Sequence, residues 1–151
     1  MAKGTARGSF QVKMKPEGRA DRSEGNSLGT AVVQKRFSGD LEGSGRGRMS
    51  TARTSVAGSA GYVMIERVRG RLGGRSGTFL LQHSGILDRG SAVAHIEVVP
   101  DSGTGGLTGL RGHLEIQIAK GRHDYTLRYT LPRERPAVHD RPARARLEPG
   151  T

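Results

Sequence analysis

Tyr62-Val63-Met64-Ile65-Glu66-Arg67-Val68-Arg69-Gly70-Arg71-Leu72-Gly73-Gly74-Arg75-Ser76-Gly77-Thr78-Phe79-Leu80-Leu81-Gln82-His83 is the stretch whose reading decides the fold. Its first half alternates with period two, as a strand with one wet face does. The odd positions end in Arg67, Arg69 and Arg71. Three arginines cannot line a small interior, so that face meets solvent. The even face then carries Tyr62, Met64, Glu66, Val68 and Leu72 inward, with Glu66 its one charged residue. Gly73-Gly74 suits a two-residue hairpin turn of the primed type, in which both central residues take φ > 0. That turn pairs Leu72 with Arg75, Val68 with Phe79, Glu66 with Leu81 and Met64 with His83. Phe79, Leu81 and His83 thus share the inward face with Glu66, and His83 lies diagonally from it, about 7–8 Å away along the backbone.

The same pattern continues on both sides. Segments of strand character run roughly 6–15, 29–39, 41–53, 60–72, 75–87, 91–100, 110–119 and 123–131, and no helical apolar stripe interrupts them. Turn signals separate them at Gly39-Asp40, Gly73-Gly74, Asp88-Arg89-Gly90 and Lys120-Gly121-Arg122. Short turns join neighbours antiparallel, so an all-β, closed, eight-stranded up-and-down meander barrel is expected, since closure removes the exposed edges. A barrel of this size is filled by side chains or holds one small ligand. Phe10, Val12 and Met14 face inward from the first strand, and Ala92, Ala94, Ile96 and Val98 from the sixth. Leu110, Leu114, Ile116 and Ile118 do so from the seventh, and Tyr125, Leu127, Tyr129 and Leu131 from the eighth. Residues 1–131 form one domain in this reading. Residues 132–151 hold four of the six prolines and five arginines, and are expected to be a disordered tail.

Composition narrows the function. With no Cys among 151 residues, disulfides, zinc–thiolate sites and thiol catalysis are excluded. No apolar run approaches the ~18 residues of a membrane helix, and the basic start lacks an apolar segment behind it; a cytoplasmic protein without a membrane span is expected. The net charge of +11 raises the question of nucleic acid. The arginines, however, are dispersed along strands, and six aromatics are few for base stacking, so no specific nucleic acid partner is expected. Gly103-Thr104-Gly105-Gly106-Leu107-Thr108-Gly109 has the look of a dinucleotide fingerprint, but a strand follows where a phosphate-binding helix should begin; a glycine-rich hairpin loop is expected. His95-Ile96-Glu97 spells a zinc-deaminase triplet without the cysteines such a site needs, so neither a metal nor another cofactor is expected.

Four blocks, Phe37 to Gly43, Glu66 to Gly85, Val99-Pro100 with Ser102 to Gly105, and Gly109 to Gly112 with Tyr125 to Leu127, resemble the bacterial family termed domain of unknown function 3224. The likeness spans roughly 5–131. It implies a barrel similar to plant allene oxide cyclase, a calycin-like fold, but no reaction, because one fold hosts many functions. The third strand, Gly45-Arg46-Gly47-Arg48-Met49-Ser50, departs from the family pattern in being strongly basic.

The function expected is binding of a small apolar molecule in the lumen, as a cofactor-independent isomerase or cyclase of a lipid- or polyketide-like substrate. Glu66 and His83 would be the catalytic acid–base pair, with Tyr62, Met64, Phe79, Leu81, Ile96, Tyr125 and Tyr129 around the substrate. A non-enzymatic carrier of a lipophilic molecule is the alternative, and a Glu66–His83 pair that only satisfies itself is the structural reading beside both. A homo-oligomer is compatible with all of these.

Overall fold

Four two-residue turns frame the molecule. Glu24-Gly25, Gly73-Gly74, Arg89-Gly90 and Lys120-Gly121 all have φ between 47° and 91°. This left-handed pair is what a type I′ hairpin demands, and glycine meets it without cost at the second position. In the computed structural model, which describes residues 1–133, these turns and three other connections link eight strands: β1 (Ala2–Ser23), β2 (Asn26–Gly39), β3 (Leu41–Arg53), β4 (Ala60–Leu72), β5 (Arg75–Asp88), β6 (Ser91–Val98), β7 (Arg111–Ala119) and β8 (Arg122–Leu131). Each pairs antiparallel with its neighbour, and β8 closes on β1. The β4–β5 register is Leu72 on Arg75, Val68 on Phe79, Glu66 on Leu81 and Met64 on His83, as the Gly-Gly turn requires. Most of the expected tail, residues 134–151, lies outside the described residues.

Two departures from the sequence expectation shape the lumen. β1 is far longer than 6–15, because it pairs β8 only as far as Phe10 and then continues as a hairpin with β2. With one neighbour lost it is an edge there, where Pro16 and an irregularity between Glu17 and Asp21 are tolerated. The glycine-rich segment after β6 is no simple hairpin loop. It makes a 3-10 turn, Gly105–Leu107, that lays Leu107 and Leu110, both fully buried, over one end of the barrel. Thr78 N–H donates to Thr104 Oγ1 (3.0 Å) and pins this cap to β5.

The lumen therefore has a filled half and an open half. Phe37, Leu41, Val68, Leu72, Phe79, Leu81, Val98, Leu114, Tyr125, Leu127 and Leu131 pack under the cap. β6 and β7 share a single ladder position, Glu97 with His113, on the capped side, and none toward the other end. The two strands splay toward the mouth, so Met14, Ala92, Ala94 and Ile118 face the lumen as expected but stay exposed there, Ile118 at 69% and Met14 at 59%. They form a rim instead of a core.

Register also overturns the view that the arginines are dispersed. Arg46 sits directly across from Arg67, with Arg69 opposite Ser44 and Arg36 opposite Ser44 from the other side. Dispersed in sequence, these residues share one outer wall because every second residue of β2, β3 and β4 points there.

Candidate functional site

Three ionisable side chains meet where the filled half gives way to the open one. Glu66 in β4 is fully buried, His83 in β5 is 2% exposed and Lys35 in β2 is 8% exposed. Glu66 Oε1 accepts from Lys35 Nζ at 3.0 Å and lies 2.8 Å from His83 Nε2. A carboxylate cannot donate, so Nε2 carries the proton, which leaves Nδ1 as the lone-pair nitrogen. The Lys35 ammonium also lies 4.9 Å from the centre of the Phe10 ring, a cation–π contact that offsets part of its desolvation. Glu66 Oε2 is buried with no hydrogen-bond partner among the described residues.

Charge states follow from these contacts. Burial alone would raise the Glu66 carboxyl, but the His83 hydrogen bond and the Lys35 charge outweigh it and hold the group below its ordinary value of 4.5. For His83, burial pushes the imidazole below 6.5, and the nearby Lys35 adds to this despite the bond to Glu66. At neutral pH Glu66 is therefore a carboxylate and His83 a neutral imidazole.

A cavity of about 400 Å³ opens above this cluster. Lys35 and His83 lie on its wall, with Phe10, Val12, Val33, Met49, Met64 and Ile116 around them, and Tyr62, Arg53 and His123 supply further polar groups. Of the residues expected around a ligand, Tyr62, Met64 and His83 line the cavity. Phe79, Leu81, Ile96, Tyr125 and Tyr129 do not line it. Phe79, Leu81, Ile96 and Tyr125 are buried core, with Tyr129 packed against them. The Tyr125 hydroxyl is already committed, accepting from Leu41 N–H (2.9 Å) and lying 2.9 Å from the Ser38 carbonyl. Burial raises the Tyr62 phenol above 10.0, with the Glu66 charge adding to it, so it stays protonated. Glu66 itself does not line the cavity; it stands behind Lys35 and His83. Gln82 points outward and is exposed.

The family model described as a protein of unknown function (DUF3224) matches residues 6–129. The chain belongs to the DUF3224 family. A solved DUF3224 structure from Shewanella oneidensis MR-1, itself described as a protein with unknown function, is 44% identical. The match covers 90% of this chain and 100% of that one, with a TM-score of 0.82. No curated protein matches.

Two members of the site in this DUF3224 chain escaped the reading of its sequence. Lys35 alternates with Ala31, Val33 and Phe37, all inward and buried. That periodicity was available, but a lysine is by default a solvent residue. Gly45 is the other. A Cβ there would collide with Glu66 Oε2 and come within 3.1 Å of the Phe37 ring, so only glycine leaves room for the carboxylate. The basic third strand thus turns its arginines outward and Gly45 toward Glu66. Gly45→Ala is expected to cost about 1–3 kcal/mol in urea unfolding, as overpacking against a carboxylate held from two sides. A wild-type midpoint would show that the carboxylate moves freely.

Proposed function

We propose that this DUF3224 barrel binds a small, largely apolar molecule bearing one polar end, and acts on it as a cofactor-independent isomerase or cyclase. The observation that carries this reading is the position of Lys35 and His83 on the wall of an otherwise mostly apolar 400 Å³ cavity, with Glu66 locking both from behind. A volume of this order suits a small ligand, and few, convergent polar groups orient it. His83 Nδ1 would take a proton from a carbon next to a carbonyl. The Lys35 ammonium would stabilise the enolate oxygen, and the same imidazolium would return the proton at another carbon of the delocalised system. Glu66 is a positioning residue: it fixes the tautomer that leaves Nδ1 basic, and supports the imidazolium that forms. The three methionines on the wall, Met14, Met49 and Met64, adapt to bent or unsaturated chains.

Fluorescence titration with cis-parinaric acid tests the binding. Wild type is expected to bind with micromolar affinity, and Ala94→Trp, which fills the mouth from an exposed position, to lose at least tenfold. A medium-chain β,γ-unsaturated ketone tests the chemistry: conversion to the conjugated enone is followed by absorbance, and His83→Ala is expected to abolish it while parinaric acid still binds. Binding without conversion favours a carrier, and absence of both defeats the reading.

A further inference from the structure

The outer wall of β1 to β6 carries a graded surface that the lumen chemistry does not use. Cross-strand register sorts its side chains into rows, with facing Cβ atoms about 4.5–5.5 Å apart. Beyond the Glu42–Arg71 pair at the far end, one row holds Arg36 and Arg69, and the next Lys13, Arg46 and Arg67. A mixed row follows, with Lys15, Val32, Arg48, Ile65, Gln82 and Glu97. Nearest the mouth, Ser50, Val63 and Ser84 give way to Leu28, Ala52, Ile86 and Val93. Leu28, Val63, Ile65, Ile86 and Val93 are each 49–64% exposed, a cluster of large apolar groups left in water. Arg48 is paired with Glu17 and Arg71 with Glu42, whereas Arg36, Arg46, Arg67 and Arg69 have no carboxylate within reach among the described residues. Like charges set directly opposite, as Arg46 and Arg67 are, destabilise a sheet unless an outside anion compensates them.

We propose that this wall docks the barrel on an anionic lipid surface, the apolar rows entering the headgroup layer and the arginines contacting lipid phosphates. Basic groups flanking an exposed apolar strip match that interface in both charge and polarity. Nucleic acid fits less well, because the wall presents no exposed Phe, Tyr or Trp ring for stacking, His95 being its one aromatic side chain. Ile86 and Val93 also line the cavity, so the docked rim and the mouth of the lumen are continuous and an apolar ligand has a dry path between bilayer and cavity. The inference stands on the outer wall alone and does not depend on turnover in the lumen.

Co-sedimentation with vesicles tests it, using phosphatidylcholine alone and phosphatidylcholine mixed with phosphatidylglycerol. Wild type is expected to pellet with the anionic vesicles and to be released by high salt. The triple variant Arg46→Ala, Arg67→Ala, Arg69→Ala should bind them on the order of a hundredfold more weakly, at about 1 kcal/mol per arginine. Ile86→Ser with Val93→Ser should also weaken binding, with an unchanged circular dichroism spectrum since both positions are exposed. No binding to anionic vesicles, or equal binding by the arginine variant, overturns the proposal. So does binding confined to a single-stranded oligonucleotide, or a stable dimer in sedimentation velocity that Ile86→Ser with Val93→Ser dissociates.

Discussion

Glu66→Ala is expected to destabilise the barrel by about 3–5 kcal/mol, the largest effect of any single substitution at the site, because it removes one partner of a buried ion pair. The Lys35 ammonium, with 6% of its side chain exposed, would lose the only carboxylate within reach among the described residues. His83 would lose the acceptor of its Nε2 proton. What remains for the cation is the Phe10 ring, which is worth less than a desolvated charge needs. The paired change Lys35→Met with Glu66→Leu should recover most of the loss, since apolar groups of similar size replace a buried pair at little cost. Urea unfolding of the two singles and the double measures this coupling. Glu42→Ala serves as the surface comparison: Glu42 lies 3.9 Å from Arg71 with both side chains more than 60% exposed, so its removal should change stability by under about 1 kcal/mol. If Glu66→Ala proved as mild as Glu42→Ala, the carboxylate would be hydrated and the buried cluster would not be the organising feature of the lumen.

Acid should weaken the protein in two stages, and His83 should account for the first. Its folded pKa lies below 6.5, so under that pH the unfolded chain takes up a proton that the folded chain refuses. Stability then falls as pH drops from about 6.5 toward the folded value, by up to about 1.4 kcal/mol per pH unit. The Glu66 carboxyl, held below 4.5, contributes stability that is complete above that pH and is lost as pH falls through its folded value. Both groups act with the same sign, so melting temperature should be flat between neutrality and the tyrosine range, where the raised Tyr62 phenol takes over, and decline stepwise below neutrality. His83→Gln should remove the first decline and keep the second. A melting temperature unchanged between neutrality and the Glu66 range in wild type would mean that His83 is not held neutral.

The hairpin of β4 and β5 explains why so much of this barrel was legible. Strand side chains alternate strictly, so three arginines on one face put Glu66 on the other, and a Gly-Gly turn with positive φ at both positions admits one register. Those two local rules place His83 beside Glu66 without any knowledge of the other six strands. Lys35 was harder: its alternation with Val33 and Phe37 pointed inward, but accepting a buried lysine requires knowing that an acid waits 31 residues away in sequence. Gly45 carried no signal of its own, since its role is to leave space.

Sequence alone therefore determined eight strands, the turns at Gly73-Gly74, Arg89-Gly90 and Lys120-Gly121 and the sidedness of the hairpins they close, because period-two patterning and turn chemistry act between near neighbours. Tertiary structure decided the rest: which half of the lumen is filled, where β6 and β7 part, and how arginines from three strands gather on one wall. These depend on barrel closure and on the cap formed by Leu107 and Leu110. Closure sums contacts between residues far apart in the chain, and no local pattern encodes that sum.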